Sequence, residues 1–459
     1  MKFKSFLPWL AVLGAASLRA AVFSTANYAI VTNPSNNVAD ITFSNRFFNG
    51  VCTVESREAG KWVVLQNFFT TQRLGQVTLE LPTNDYARLR LRTLQVTAER
   101  YTVFAHLAQS YGDIHTVAGT GERPPGTETW LPEYEGAFAT NVFLNNPRYA
   151  VADAANNIYV LERDGHAVDQ ITPDGRIHTL VGTHHPGYLG EAPVGSNGFG
   201  PTSPLNFPGG LWLDGNRLFI LDSGNSRVRF IDVDDTNKTV NPVFGDSLLT
   251  TNLTGVHVGM YTNGSGLWVS HDVLGEPTMA FYGVGNEVRR WRATGGTIVL
   301  ATGFQEVGNV IVDPIGRTIV SDPGDNRVYR VRNSGAKEVV AGSGFPNGPF
   351  PRNLHYGGAA ATVALPGARS VWYLPIGGYF IGLDQGAQVW YVNSLNNAVP
   401  FIFGVPGLHT GDGTWFRQGG IRGPKVGNII SVTVAPSGDI ILVEAGGFVR
   451  KIDFLRHRP

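Results

Sequence analysis

One motif returns along most of this chain, and it restricts the fold more than any other feature. A copy opens at Asn146-Pro147-Arg148-Tyr149-Ala150-Val151-Ala152-Asp153. It continues through Ile158-Tyr159-Val160-Leu161-Glu162 and Ala167-Val168-Asp169-Gln170-Ile171, and closes on Ile177-His178-Thr179-Leu180-Val181-Gly182. Another runs from Phe207-Pro208-Gly209-Gly210-Leu211-Trp212 to Arg227-Val228-Arg229-Phe230-Ile231, and a further one from Asn309-Val310-Ile311-Val312-Asp313 to Lys337-Glu338-Val339-Val340-Ala341-Gly342. Divergent copies occupy about 256–303 and 367–405. Each is a set of four short apolar strands separated by turn residues, too small to bury its own faces, so the copies must pack on one another.

The last copy, 427–454, has only three strands. The missing fourth stands at the other end of the array, where Asp113-Ile114-His115-Thr116-Val117-Ala118-Gly119 matches the closing-strand pattern. The reading is an all-β, six-bladed β-propeller over 112–456, closed by an N-terminal strand in the last blade; closure removes exposed sheet edges. Composition agrees. Among 459 residues there are 57 glycines, and charged residues make up 16%, against about 25% in ordinary domains. Such a chain is not a helical bundle or a coiled coil. The 36 basic and 36 acidic residues cancel, which removes the sequence-independent attraction that nucleic-acid binding needs. No nucleic-acid partner is expected.

Two segments precede the array. Residues 1–20 read as a signal peptide, with Lys2 and Lys4 ahead of a mostly apolar run from Ser5 to Leu18 and small residues at Ala20-Ala21. The expectation is a secreted or periplasmic protein with no transmembrane segment after signal removal. Residues 25–100 hold six or seven short apolar runs, alternating clearly in Ala87-Arg88-Leu89-Arg90-Leu91-Arg92, which predicts a small β-sandwich, loosely similar to immunoglobulin-like or fibronectin-like modules. Cys52, the single cysteine, reads as a buried small hydrophobe.

The recurring P-x-x-V-x-D, I-Y-V-x-D and N-x-R-V-x-x-I strings resemble the NHL-repeat family of six-bladed propellers over roughly 112–456. Within that pattern, Asp222 with Asn225 and Arg227, and Asp322 with Asn326 and Arg327, read as structural: the acid satisfies turn amides and the arginine pairs with it. The resemblance implies that the long links 119–145, 183–206, 344–366 and 405–426 gather on one face around the central channel. They carry Trp130, Tyr134 and Trp415 among other aromatics. Arg148, Tyr149, His257 and Arg369 fall near inner-strand starts and would face the channel mouth, suited to an anionic group.

The function read from these residues is an exported, non-enzymatic binding protein for a carbohydrate, peptide or protein ligand, without a cofactor. An alternative is a metal-dependent lyase or hydrolase, as in the propeller lyases acting on peptidyl-hydroxyglycine, with His184, His257 and His271 on the rim as candidate ligands of a metal ion. A structural surface spacer is the third reading. The motifs for a nucleophile elbow, a zincin helix and a phosphate loop do not occur.

Overall fold

The computed structural model describes residues 28–33, 38–44, 50–58, 60–70, 74–80 and 89–95, together with 107–454 other than 189–197, 237–238, 246–263, 273–275, 347–357 and 418–423. The signal-peptide segment and His257 lie outside the described residues. The chain divides into two compact units, Met1–Gln95 with the last three residues, and Val96–Arg456. No helix among the described residues is long and apolar enough to cross a membrane.

The first unit contains strands β1 (Tyr28–Asn33), β2 (Val38–Ser44), β3 (Gly50–Glu58), β4 (Lys61–Thr70), β5 (Leu74–Glu80) and β6 (Leu89–Gln95). They form two antiparallel sheets, β1-β2-β5 and β4-β3-β6. Alternation puts Ile30, Ala39 and Ile41 of one sheet and Cys52, Val54, Leu89 and Leu91 of the other into a shared core. Cys52 is fully buried there, as a small hydrophobe.

The second unit opens with β7 (Asp113–Ala118) and continues through six antiparallel blades. The first strands of blades 1 to 6 are Pro147–Ala152, Gly210–Asp214, Gly264–His271, Asn309–Val312, Ala368–Tyr373 and Ile429–Val434. Each touches the first strands of the two neighbouring blades, blade 6 meeting blade 1, so the six form a closed ring about an axis. The last blade supplies Ile429–Val434, Ile440–Glu444 and Phe448–Ile452, and β7 is its fourth strand, with Ile114 opposite Ile452 and Ala118 opposite Val449. Apolar clusters fill the spaces between blades, as where Ala150, Val160 and Ile177 of blade 1 meet Ile441 and Val443 of blade 6.

The long links take a course that differs from the expected gathering over the channel mouth. A described part of each pairs with the outermost strand of the blade it precedes. Phe138 bridges Arg176 in blade 1. Gly198–Phe199 pairs with Thr239–Val240 in blade 2, Gly358–Ala359 with Asn397–Ala398 in blade 5, and Thr414–Trp415 with Asp113–Ile114 in blade 6. The physical reason is that the outer edge of a blade carries unpaired N–H and C=O groups, and a link laid along it satisfies some of them.

Candidate functional site

A hollow of about 300 Å³ lies on the axis at the starts of the first strands, lined from all six blades. Two local features make it. The first is a register shift that leaves one extra residue in the first strand, which re-aims its side chain. In blade 1 the pairing passes from Pro147 to Tyr149 and leaves out Arg148; in blade 5 it passes from Ala368 to Ser370 and leaves out Arg369; in blade 6 it leaves out Ile430. All three extra residues line the hollow. The second is a tier of glycines in blades 2, 3 and 4. A Cβ on Gly209 would sit 1.9 Å from the Gly264 carbonyl oxygen, and one on Gly308 would sit 2.4 Å from that of Arg369. Backbones of adjacent blades approach so closely that only glycine fits, and the absent side chains leave the mouth open.

The lining is cationic. It presents the guanidiniums of Arg148, Arg163 and Arg369 against the single carboxylate of Glu306. Arg369 is compensated: it donates to Glu306 Oε1 at 2.9 Å and to Asp384. Arg148 has no ion pair or hydrogen bond among the described residues, and its Nε is buried without a partner. Burial, followed by the repulsion of Arg369 and Arg163, pushes its pKa below the ordinary arginine range. An oxyanion entering here would relieve that repulsion and satisfy a bidentate donor.

Tyr149 forms the floor. Its hydroxyl crosses from blade 1 to donate to the Gly308 carbonyl ahead of blade 4, at 2.8 Å, and Ser265 donates to the same oxygen. Burial raises the Tyr149 pKa, so the phenol stays a donor. Deeper in the channel, Trp212 of blade 2 contacts Trp372 of blade 5 with ring centroids 5.6 Å apart and Trp268 of blade 3 at 6.2 Å. Contact between the first strands of opposite blades passes through the axis, so these rings plug the channel. The sequence reading missed all three, although each occupies a similar place in its strand, in Leu211-Trp212-Leu213, Leu267-Trp268-Val269 and Val371-Trp372-Tyr373.

Three sequence-predicted residues therefore meet at the mouth: Arg148, Tyr149 and Arg369. The aromatic candidates lie elsewhere. Trp130 packs flat on His184 with ring centroids 3.9 Å apart and edge-on to Tyr134 at 5.7 Å, both against the core shared by blades 6 and 1. Trp415 pairs with Asp113, at the end of the last blade remote from the hollow, and its Nε1 donates to the Tyr111 carbonyl at 3.1 Å. The rim-histidine expectation also changes. Gly264–His271 is the first strand of blade 3, not a following one, so His271 stands at the far end of the channel and contacts Asp214 at 2.9 Å. The divergence of this copy concealed its start. His184 belongs to blade 1, beside Glu162 and Asp169.

The Asp222 signature is structural in a modified way. Asp222 accepts from the Asn206 amide at 2.8 Å and from Asn225, but its ion pair is Arg229, at 3.1 Å, while Arg227 lies over the Tyr188 ring. Asp322 likewise accepts from the amides of Gln305, Glu306 and Asp325, and Arg327 turns instead to Asp325.

No family model and no curated protein sequence matches the chain. Solved structures do match. A structural-genomics protein of unknown function from Bacteroides thetaiotaomicron is 12% identical, with a TM-score of 0.55, over 94% of this chain and 100% of that one. An auxiliary nutrient binding protein from Bacteroides ovatus is 10% identical, with a TM-score of 0.50, over 91% of this chain and 94% of that one. At such identities the likeness is one of fold, and the fold is a β-propeller.

Proposed function

We propose that this is an exported binding protein, of the NHL-like propeller type, whose axial mouth takes a small ligand or ligand terminus bearing a carboxylate or phosphate. A uronic-acid sugar or the free carboxylate of a short peptide has the required chemistry. The observation that carries the reading is Arg148, a guanidinium held in a lined hollow with no ion pair or hydrogen bond among the described residues. Arg369 supports it as a second cation, fixed by Asp384 and Glu306, and Tyr149 closes the floor. Binding is favoured over catalysis because the other reactive groups are engaged: Ser265 donates to Gly308, and Glu306 is paired with Arg369. The Bacteroides ovatus neighbour is named for a role of the same kind, and it lends this chain only the fold.

The test is calorimetric titration of the full mature chain with glucuronate, galacturonate, a short peptide with a free carboxylate, and inorganic phosphate, each beside its uncharged counterpart. Arg148→Met should weaken binding of the best anion by roughly 30-fold or more, as expected when one partner of a desolvated charge pair is removed. Equal affinity in wild type and variant, or equal affinity for charged and uncharged ligands, would sink the assignment.

A further inference from the structure

Blade 1 departs from its neighbours at one buried position that carries charge in all three. In blades 2 and 6 the second strand ends in a buried acid, and an arginine stands in the third strand beside it. Asp222 and Arg229 approach to 3.1 Å, and Glu444 and Arg450 to 3.6 Å. Register makes the equivalence explicit: Asp222 lies opposite Arg227 and Arg229 opposite Ile220, while in blade 1 Glu162 lies opposite Ala167 and Asp169 opposite Val160. Blade 1 keeps the acid, and it has Asp169 where the arginine belongs.

Two carboxyl groups thus face each other in the interior, Glu162 1% and Asp169 0% exposed. Both Asp169 oxygens and Oε1 of Glu162 lack a hydrogen-bond partner among the described residues, and Glu162 Oε2 accepts from the Asn145 amide. The His184 side chain, 7% exposed, brings Nε2 to 3.6 Å from Asp169 Oδ1. Its imidazole also hydrogen-bonds the Gly165 backbone and is clamped flat under Trp130. One ligand atom of each of the three residues lies within 4.8 Å of the other two. Gly165 keeps the space clear, since a Cβ there would sit 2.8 Å from Glu162 Oε2.

We infer that blade 1 holds a buried divalent metal of the zinc class on Glu162, Asp169 and His184, the ion taking the place that arginine fills in blades 2 and 6. Two carboxylates buried without a counter-charge are costly; a proton shared between them or a bound cation relieves that cost, and the cation would supply what the arginine does elsewhere. A neutral imidazole orients a nitrogen lone pair, and its contact with a backbone carbonyl is the usual outer support of a metal-bound histidine. One nitrogen and two oxygens suit zinc better than calcium, which takes six or more oxygens. Thr179 Oγ1 hydrogen-bonds His184 Nε2 at 3.0 Å, a bond that an ion on that nitrogen would replace. The site lies off the axis, and none of its three residues lines the anion pocket. Its role is to pin the links carrying Trp130 and His184 to the blade.

The experiment uses the full chain without a histidine tag, stripped with chelator, desalted, and titrated with zinc, manganese or calcium alone. Uptake is read by elemental analysis and calorimetry, and stability by thermal melting. The expected result is one zinc per chain and a raised Tm, with calcium without effect at the same concentration. Asp169→Asn and Glu162→Gln should each weaken zinc by at least roughly 100-fold, the upper end of the cost of losing even an outer-shell partner. Asp169→Arg, which copies blades 2 and 6, should fold with a Tm indifferent to zinc, and it decides the matter if the milder variants fold poorly. Failure of wild type to take up zinc overturns the inference, as does wild-type affinity retained in these variants, or a preference for calcium.

Discussion

Arg450 offers the sharpest test of how the last blade is held. Its side chain is fully buried. One nitrogen donates to the Lys425 carbonyl at 3.1 Å, another donates to the Thr410 carbonyl at 3.0 Å and pairs with Asp412, and the guanidinium faces Glu444 Oε1 at 3.6 Å. Glu444 in turn holds the Gly427 amide at 3.1 Å and His409 at 2.9 Å with its other oxygen. Arg450→Met preserves much of the volume and removes every one of the arginine's polar contacts. The acid is left with His409 and one amide, and two link carbonyls lose their donor. Breaking a buried pair from one side costs about 3–5 kcal/mol. The expected loss sits toward the lower half of that range, because Glu444 Oε2 keeps its own partners. Urea unfolding followed by tryptophan fluorescence reads it as a shift in midpoint at unchanged slope. Adding Glu444→Gln to Arg450→Met should recover roughly 1–2 kcal/mol, since removing both charges relieves the unpaired one. A single variant within about 1 kcal/mol of wild type, or a double variant less stable than the single one, would refute the argument.

Two further perturbations probe other parts of the ring. Burial holds the His166 pKa down at about 4, against a smaller opposing effect of Asp164 and with the help of His185 and Arg163; its Nδ1 must stay unprotonated to accept the Phe207 amide at 3.1 Å. Between that pKa and the unfolded value near 6.5 the unfolded chain binds the extra proton, so this contribution to stability is lost as pH falls, reaching roughly 1–2 kcal/mol at pH 5. His166→Asn keeps an acceptor and tolerates the left-handed backbone there, φ 51°, so its melting temperature should fall less between pH 7 and pH 5; parallel curves would count against this account. Gly308→Ala places a Cβ 2.4 Å from the Arg369 carbonyl oxygen and should both lower Tm and weaken anion binding. Gly316→Ala, at positive φ but facing open space, should cost only about 1–2 kcal/mol and leave binding intact.

Much of this architecture is written in local pattern. The copies are visible because each strand is a short apolar run between turn residues, and the lone β7 is recognisable because its apolar spacing repeats that of the other outer strands. Arg148, Tyr149 and Arg369 could be placed at the mouth because they directly follow the turn that begins a first strand. The course of the long links was not legible, since pairing of Thr414–Trp415 with Asp113–Ile114 depends on an edge hundreds of residues away. His271 was misplaced because its copy has an insertion and lacks the usual opening proline. The Glu162, Asp169 and His184 cluster was hidden for a subtler reason. Asp169 becomes equivalent to Arg229 and Arg450 only when the blades are aligned on the register shift that follows Val168, Val228 and Val449.

Closure by β7 has a consequence for the order of assembly. β7 precedes every complete blade in the chain, and its partner Phe448–Ile452 comes after all of them. Until that partner is made, Ile114 and Ala118 have no sheet to join, and blade 6 lacks its outer strand. Loop closure across such a separation is entropically expensive and slow, so five blades can stack before the clasp shuts. Once shut, the ring has no end from which to unzip. Opening the ring at its chain ends means parting β7 from Phe448–Ile452.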